Sequence, residues 1–174
     1  MTDASRIDRL SLSVGGLARP ELLRRLAGQG VLLNPHAETL LDHAIFEEQP
    51  VRQVVVAERT VGDLGLVGGA TLGEVFDRAR TRGLILCPAD AGPYLRMAWK
   101  DQAPSADRVV SSGRAPTASL TVAAEPLSED DDYPKGFYLR VVEGRPWLRG
   151  YRCDDEHVWS PDDRFAFCLP PVGF

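Results

Sequence analysis

The hydrophobic period of this chain changes partway along its length. Up to about Trp99, apolar residues recur at helical spacing; from about Thr117 they alternate one by one. The first pattern buries a stripe of a helix, the second one face of a sheet. Helices followed by a run of short strands predict an α+β fold. We therefore expect about four N-terminal helices covering one face of a C-terminal antiparallel β-sheet of roughly five strands. With 174 residues, 44% apolar and 26% charged, the chain falls in the range of one ordered domain. A seam near residue 100 should divide a helical half, about 1–100, from a sheet half, about 101–174, within that unit.

The helical half carries clear punctuation. Pro20 opens a run with Leu22, Leu23 and Leu26 on one stripe, and Gly28 and Gly30 should end it. Asn34-Pro35 starts a second helix, because Asn is a good N-cap and Pro fits the first turn. Its apolar positions are Ala37, Leu40, Leu41, Ala44 and Ile45. Val51–Glu58 is β-branched and reads as a strand. Thr71 and Glu74 form a capping box for a third helix, with Leu72, Val75, Phe76 and Ala79 inward and Gly83 as its stop. Leu84–Pro88 fits a brief strand or an extended lead into a fourth helix. Asp90 is placed to cap that helix, which runs to Trp99.

The sheet half alternates at Arg108–Ser112, Thr117–Ala123, Phe137–Val142, Trp147–Arg152 and Phe165–Leu169. Gly144 lies at a hairpin-like interval, and Ser160-Pro-Asp-Asp163 is a turn. Nine of the 13 aromatic residues lie from Tyr133 onward, so the sheet should carry the heaviest part of the core. Residues 101–106 and 125–136 read as loops.

Charge and cysteine usage narrow the function classes. The net charge of -5 argues against a general nucleic-acid binder. No run approaches the ~18 apolar residues of a membrane span, and the polar start lacks a signal core, so a cytoplasmic location is expected. Cys87, Cys153 and Cys168 are odd in number and irregularly spaced, which is no disulfide framework. They read as free thiols, buried at Cys87 and Cys168, in a reducing compartment. Two acidic clusters, 125–132 and 154–163, contain no cation and read as solvated loops; on one shared face they would attract a metal or a basic partner.

Catalytic signatures are sparse. The glycines of 60–70 lack the Lys-Ser/Thr of a phosphate loop, and no G-x-S-x-G elbow occurs. His36 and His43 lie seven apart, about 10 Å along a helix axis at ~1.5 Å per residue, too far for a shared metal. Asp154, Glu156 and His157, beside Trp159, are the best local ligand set for a divalent cation if the loop folds back. Arg78, Arg80 and Arg82 read as helix-end charges. Between Gly83 and Arg96 the chain can shape a groove lined by Tyr94, Arg96 and Trp99, or pack those residues into the sheet.

Several segments together resemble a group of small bacterial proteins with no established activity. They are Gly30-Val-Leu-Leu-Asn-Pro-His-Ala-Glu38, Val61-Gly-Asp-Leu-Gly65, Gly69-Ala-Thr71, Gly83-Leu-Ile-Leu-Cys-Pro88, Gly92-Pro-Tyr-Leu-Arg96 and Trp159-Ser-Pro-Asp-Asp163. The resemblance covers most of the chain and implies no catalytic residues.

The function expected from sequence is a non-enzymatic cytoplasmic module that binds a protein or a small molecule, with no cofactor. Arg and aromatic residues are typical contact anchors, which points to Tyr94, Arg96, Trp99, Arg149 and Tyr151. The alternative is a small hydrolase, metal-dependent or not, working from the acidic loop at Asp154, Glu156 and His157. Nucleic acid and membrane are not expected partners.

Overall fold

The computed structural model describes residues 6–105 and 118–171. Among them are four helices: α1 (Arg19–Gly28), α2 (Pro35–Leu41), α3 (Leu72–Thr81) and α4 (Ala91–Ala98). The strands are β1 (Leu10–Val14), β2 (Leu32–Leu33), β3 (Arg52–Thr60), β4 (Ala70–Thr71), β5 (Leu120–Val122), β6 (Gly136–Val142), β7 (Arg145–Tyr151), β8 (Val158–Trp159) and β9 (Arg164–Cys168). Seven strands form one sheet in the order β1-β3-β9-β5-β6-β7-β2; β4 and β8 pair as a separate ribbon. The expected strand at Arg108–Ser112 lies outside the described residues.

The sheet is mixed, not antiparallel: β5 runs parallel to β9 and β2 parallel to β7. Nor are strands confined to the second half, since β1, β2 and β3 all join this sheet. No element is expected before Pro20, yet Leu10, Leu12 and Val14 alternate with Ser11 and Ser13, and β1 pairs along β3 from Leu10–Val56 to Val14–Arg52. That alternation is only five residues long. The two residues of β2 are too few to show a period.

Residues directly opposite across a pair share a sheet face, and the pairings assign two faces. One carries Leu12, Val14, Val56, Leu120, Val122, Leu139, Leu148, Ala166 and Cys168; it packs against α1, α2 and α4. The other carries Phe165 and Phe167, packed against Val75, Phe76 and Ala79 of α3 and against Trp159 of β8. The helices therefore cover both faces rather than one. The reason is the position of β9, whose inward residues are apolar on both sides.

Local signals explain the element ends. Thr71 accepts from the Glu74 N–H at 3.3 Å, which is the N-cap half of the expected capping box, and its hydroxyl donates to the Glu74 carboxylate at 3.1 Å. Glu143 (φ 52°) and Gly144 (φ 77°) make the two-residue hairpin turn between β6 and β7, the left-handed pair such a turn needs. Asp90 does not cap α4; its buried carboxylate instead meets the Arg52 guanidinium. α2 stops at Leu41 instead of running on to Ile45. The His43 Nδ1 accepts the Ile45 N–H at 3.0 Å and starts a separate 3-10 turn. Arg19 binds the freed carbonyls of Leu41, Asp42 and His43 at 2.9, 3.2 and 2.8 Å, which satisfies groups a helix end leaves open.

Asn34 joins helix to sheet. Its Oδ1 accepts both the Ala37 N–H, capping α2, and the Gly150 N–H, each at 2.8 Å; its amide donates to the Gly150 carbonyl at 3.0 Å. All three bonds are buried. Losing an N-cap costs about 1 kcal/mol, and leaving buried backbone groups unpaired costs about 1–3 kcal/mol more. Asn34→Ala should therefore lower the unfolding free energy by about 2–4 kcal/mol, read as a lower urea midpoint.

Candidate ligand site around Arg96

α4 is buried along most of its length. Ala91, Gly92, Pro93, Tyr94, Leu95 and Arg96 all fall inside. Gly92 permits this close seat, because a Cβ there would stand 2.6 Å from the Phe137 ring. Arg96, one turn further on, shares that side of the helix.

Arg96 is 2% exposed. Its Nη1 donates to the Gln102 side-chain oxygen at 2.7 Å and to the Trp147 carbonyl at 3.4 Å; its Nη2 donates to the Trp99 carbonyl at 2.7 Å. Its Nε is buried with no hydrogen-bond partner. The Gln102 amide is fully used, donating to the Ala118 and Leu139 carbonyls at 2.9 and 2.8 Å. The network ties the end of α4 to β6 and β7.

Among the described residues every partner of this guanidinium is neutral. Elsewhere in the interior, Glu58 faces Arg164 at 3.5 Å, Lys135 faces Asp131 at 3.4 Å and Asp90 pairs with Arg52. Among the described residues Arg96 meets no carboxylate. Burial alone lowers its pKa to about 10, so it remains charged at neutral pH. A buried cation without a counter-charge is costly.

Arg96 lines a cavity of about 330 Å³, together with Val31, Trp99, Lys100, Gln102 and Val141. That is the lower end of the ~300–1,000 Å³ typical of small-molecule sites. The wall is apolar at Val31, Val141 and Pro146, and cationic at Arg96 and Lys100. Lys100 and Gln102 were hidden in sequence because each is a single polar residue beside an expected loop.

The five expected contact residues divide between the two sheet faces. Trp99 (7% exposed) lines the cavity with Arg96; Tyr94 (8%) is a core residue of the same side. Arg149 and Tyr151 lie on the other face of β7, opposite Tyr138 and Gly136. Arg149 donates to the Tyr138 hydroxyl at 2.8 Å and lies 4.8 Å over the Trp147 ring. Tyr151 packs against Trp159 and Tyr138, with ring centroids 5.5 and 6.4 Å apart, and burial pushes its hydroxyl pKa up.

The 154–157 segment is a tight turn. Asp154 accepts the Glu156 N–H at 3.0 Å with its side chain and the His157 N–H at 3.4 Å with its carbonyl. Asp154 and Glu156 are exposed, and the His157 ring stands edge-on to Trp159 at 5.3 Å. Among the described residues no three His, Cys, Asp or Glu side chains gather into a group able to hold a metal ion. The other acidic loop is partly neutralised: Glu125 pairs with Arg80 at 2.6 Å and Asp132 lies 4.0 Å from Arg152. Arg78 donates to the Leu64 carbonyl at 3.2 Å.

No family model matches the chain, and the searches of curated proteins and of solved structures return no match either. No helix among the described residues is long and apolar enough to cross a membrane.

His36, at the start of α2, feels the basic side of β7. Burial lowers its pKa, and the nearby Arg152 and Arg149 lower it further. The unfolded chain, near the ordinary ~6.5, then takes up the proton first. This contribution to stability is complete above pH ~6.5 and is lost as pH falls through the lowered folded value. Thermal unfolding between pH 7.5 and 5 should show Tm declining, with a shallower decline in His36→Gln.

Proposed function

We propose that the protein is a non-enzymatic, cytoplasmic ligand-binding module whose cavity takes a small organic anion. One observation carries this reading: a guanidinium that is 2% exposed, paired among the described residues only with neutral groups, lines a cavity of about 330 Å³. An anionic group supplies the missing counter-charge. Arg suits a carboxylate through its planar fork of donors, and Lys100 adds a second positive charge to the cavity. The apolar wall of Val31, Trp99, Val141 and Pro146 favours a ligand with a hydrocarbon body over a bare inorganic ion. The free thiols at Cys87, Cys153 and Cys168 suit a reducing compartment.

The hydrolase alternative draws no support from Asp154, Glu156 and His157, whose turn is closed on itself. Arg149 offers a second contact point, on the opposite face: its guanidinium over Trp147 has no carboxylate partner among the described residues. A basic group stacked on an aromatic ring suits an acidic partner surface.

The test is a thermal-shift titration with a series of straight-chain carboxylates from acetate to octanoate, with inorganic phosphate for comparison. At ligand ~100-fold above Kd the stabilisation is about 2.7 kcal/mol, a Tm rise of roughly 5–10 °C for a chain of this size. We expect a mid-length carboxylate to give that rise and phosphate to give less. Arg96→Met should remove the response. Val141→Phe, which fills the cavity while Arg96 itself is retained, should remove it while leaving the unliganded Tm within a few degrees. A series that shifts nothing, or a shift that survives both substitutions, overturns the reading.

A further inference from the structure

Cys87 and Cys168 are 81 residues apart in sequence, yet their sulfurs lie 3.3 Å apart. Both are buried, at 4% and 0% exposure. Nothing in their spacing pairs them; the fold does. Ile85 and Cys168 form an antiparallel bridge with both N–H···O bonds at 2.9 Å, and the Cys87 N–H reaches the Ala123 carbonyl at 2.7 Å. The backbone on both sides is thus held, and the Cys87 thiol also meets the Ala166 carbonyl at 3.4 Å. Both sulfurs belong to the core between the sheet and α1, α2 and α4.

We infer that Cys87 and Cys168 are a modification site for a hydroperoxide, which converts the two touching thiols into an intramolecular disulfide. A disulfide needs sulfurs at about 2.05 Å, so the pair must close by little more than an ångström. The chemistry balances without another reactant. One sulfur, as the thiolate, attacks a peroxide oxygen; the O–O bond breaks, and with hydrogen peroxide hydroxide leaves, giving a sulfenic acid. The second thiol's sulfur attacks that sulfenic sulfur; the S–O bond breaks and the oxygen departs as water with the thiol's proton. The two cysteines lose two electrons and the peroxide is reduced to two waters. The touching neighbour resolves the sulfenic acid before further oxidation. The contact between the two thiols raises the Cys87 pKa well above the usual range and lowers that of Cys168, so Cys168 is the sulfur that attacks; burial of both favours a small oxidant that can enter the core.

Cys153 is the internal comparison. It is half-buried and packs with the core on the other side of the sheet; burial is the main cause that raises its pKa to about 11. Removing it by Cys153→Ser leaves only the proposed pair. Folded Cys153→Ser protein is treated with hydrogen peroxide, quenched by alkylation and read by intact mass and non-reduced peptide mapping. We expect a product about 2 Da lighter, a crosslink joining the Cys87 and Cys168 peptides, and full reversal by dithiothreitol. Closing a loop of 81 residues should raise Tm by on the order of 10 °C. Adding Cys87→Ser should divert the product to species about 16 or 32 Da heavier. The proposal is overturned by such heavier species in the protein with both cysteines intact, by crosslinked dimers, or by folded protein that stays unreacted while its denatured form crosslinks.

Discussion

The fold depends on β9 being buried on both of its faces. Phe165, Ala166, Phe167 and Cys168 are all fully covered. Phe165 and Phe167 feed the core under α3, while Ala166 and Cys168 feed the core under α1, α2 and α4. β9 also joins the two parts of the sheet, since it pairs with β3 on one side and β5 on the other. Without it, the β1–β3 pair and the β5–β6–β7 group would be separate sheets with open edges. A strand buried on both faces needs apolar residues at successive positions rather than alternating ones, and Phe-Ala-Phe-Cys meets that demand with two large and two small side chains. The strand comes near the end of the chain and pairs with residues more than a hundred positions earlier. The pairing that unites the sheet is therefore a highly non-local one, which slows folding.

Much of this architecture was legible wherever a signal is local. The Asn34 and Thr71 caps, the Gly144 hairpin and the Ser160–Asp163 turn each depend on residues within four positions of one another, and the structure contains all four. β6 and β7 show enough alternation to be read directly, and β9 alternates large with small apolar residues. What could not be read depends on distant partners. β2 exists because Leu32 and Leu33 meet Trp147 and Leu148, and two residues carry no period. β5 runs parallel to β9, although both lie in the second half, because β9 returns to the far side of β5 from β6, a placement no window of local sequence contains. The same limit explains the helices. Their stripes were visible, but which sheet face each stripe covers is decided by strand order.

The candidate site divides along the same line. The presence of Arg96 and Trp99 beside a possible groove could be read from their spacing on one short helix. That the guanidinium would be covered, and that its partners among the described residues would all be neutral, could not. Those facts arise from Gln102, Trp147 and the cavity wall at Val31 and Val141, which come from four different parts of the chain. Arg149 belongs with Arg96 by composition and local aromatic content, yet the sheet separates them, because β7 turns its side chain toward Tyr138 while only the Trp147 carbonyl reaches Arg96. Cysteine shows the converse: Cys87 and Cys168 look unrelated in sequence and are neighbours in space.

Cost decides which charged group points to a ligand. An exposed carboxylate in a turn loses little hydration, so the clusters at 125–132 and 154–163 can persist for solubility alone. Many of their members also accept local backbone N–H groups or face cations, as at Asp154, Asp163 and Glu125. Arg96 differs on both counts. Its hydration is gone, and neutral oxygens return only part of what a carboxylate would return. A purely structural role, tying α4 to β6 and β7, calls for several N–H donors but not for a charge. The charge is what the scaffold role leaves unexplained, and the cavity beside it is where an opposing charge has room.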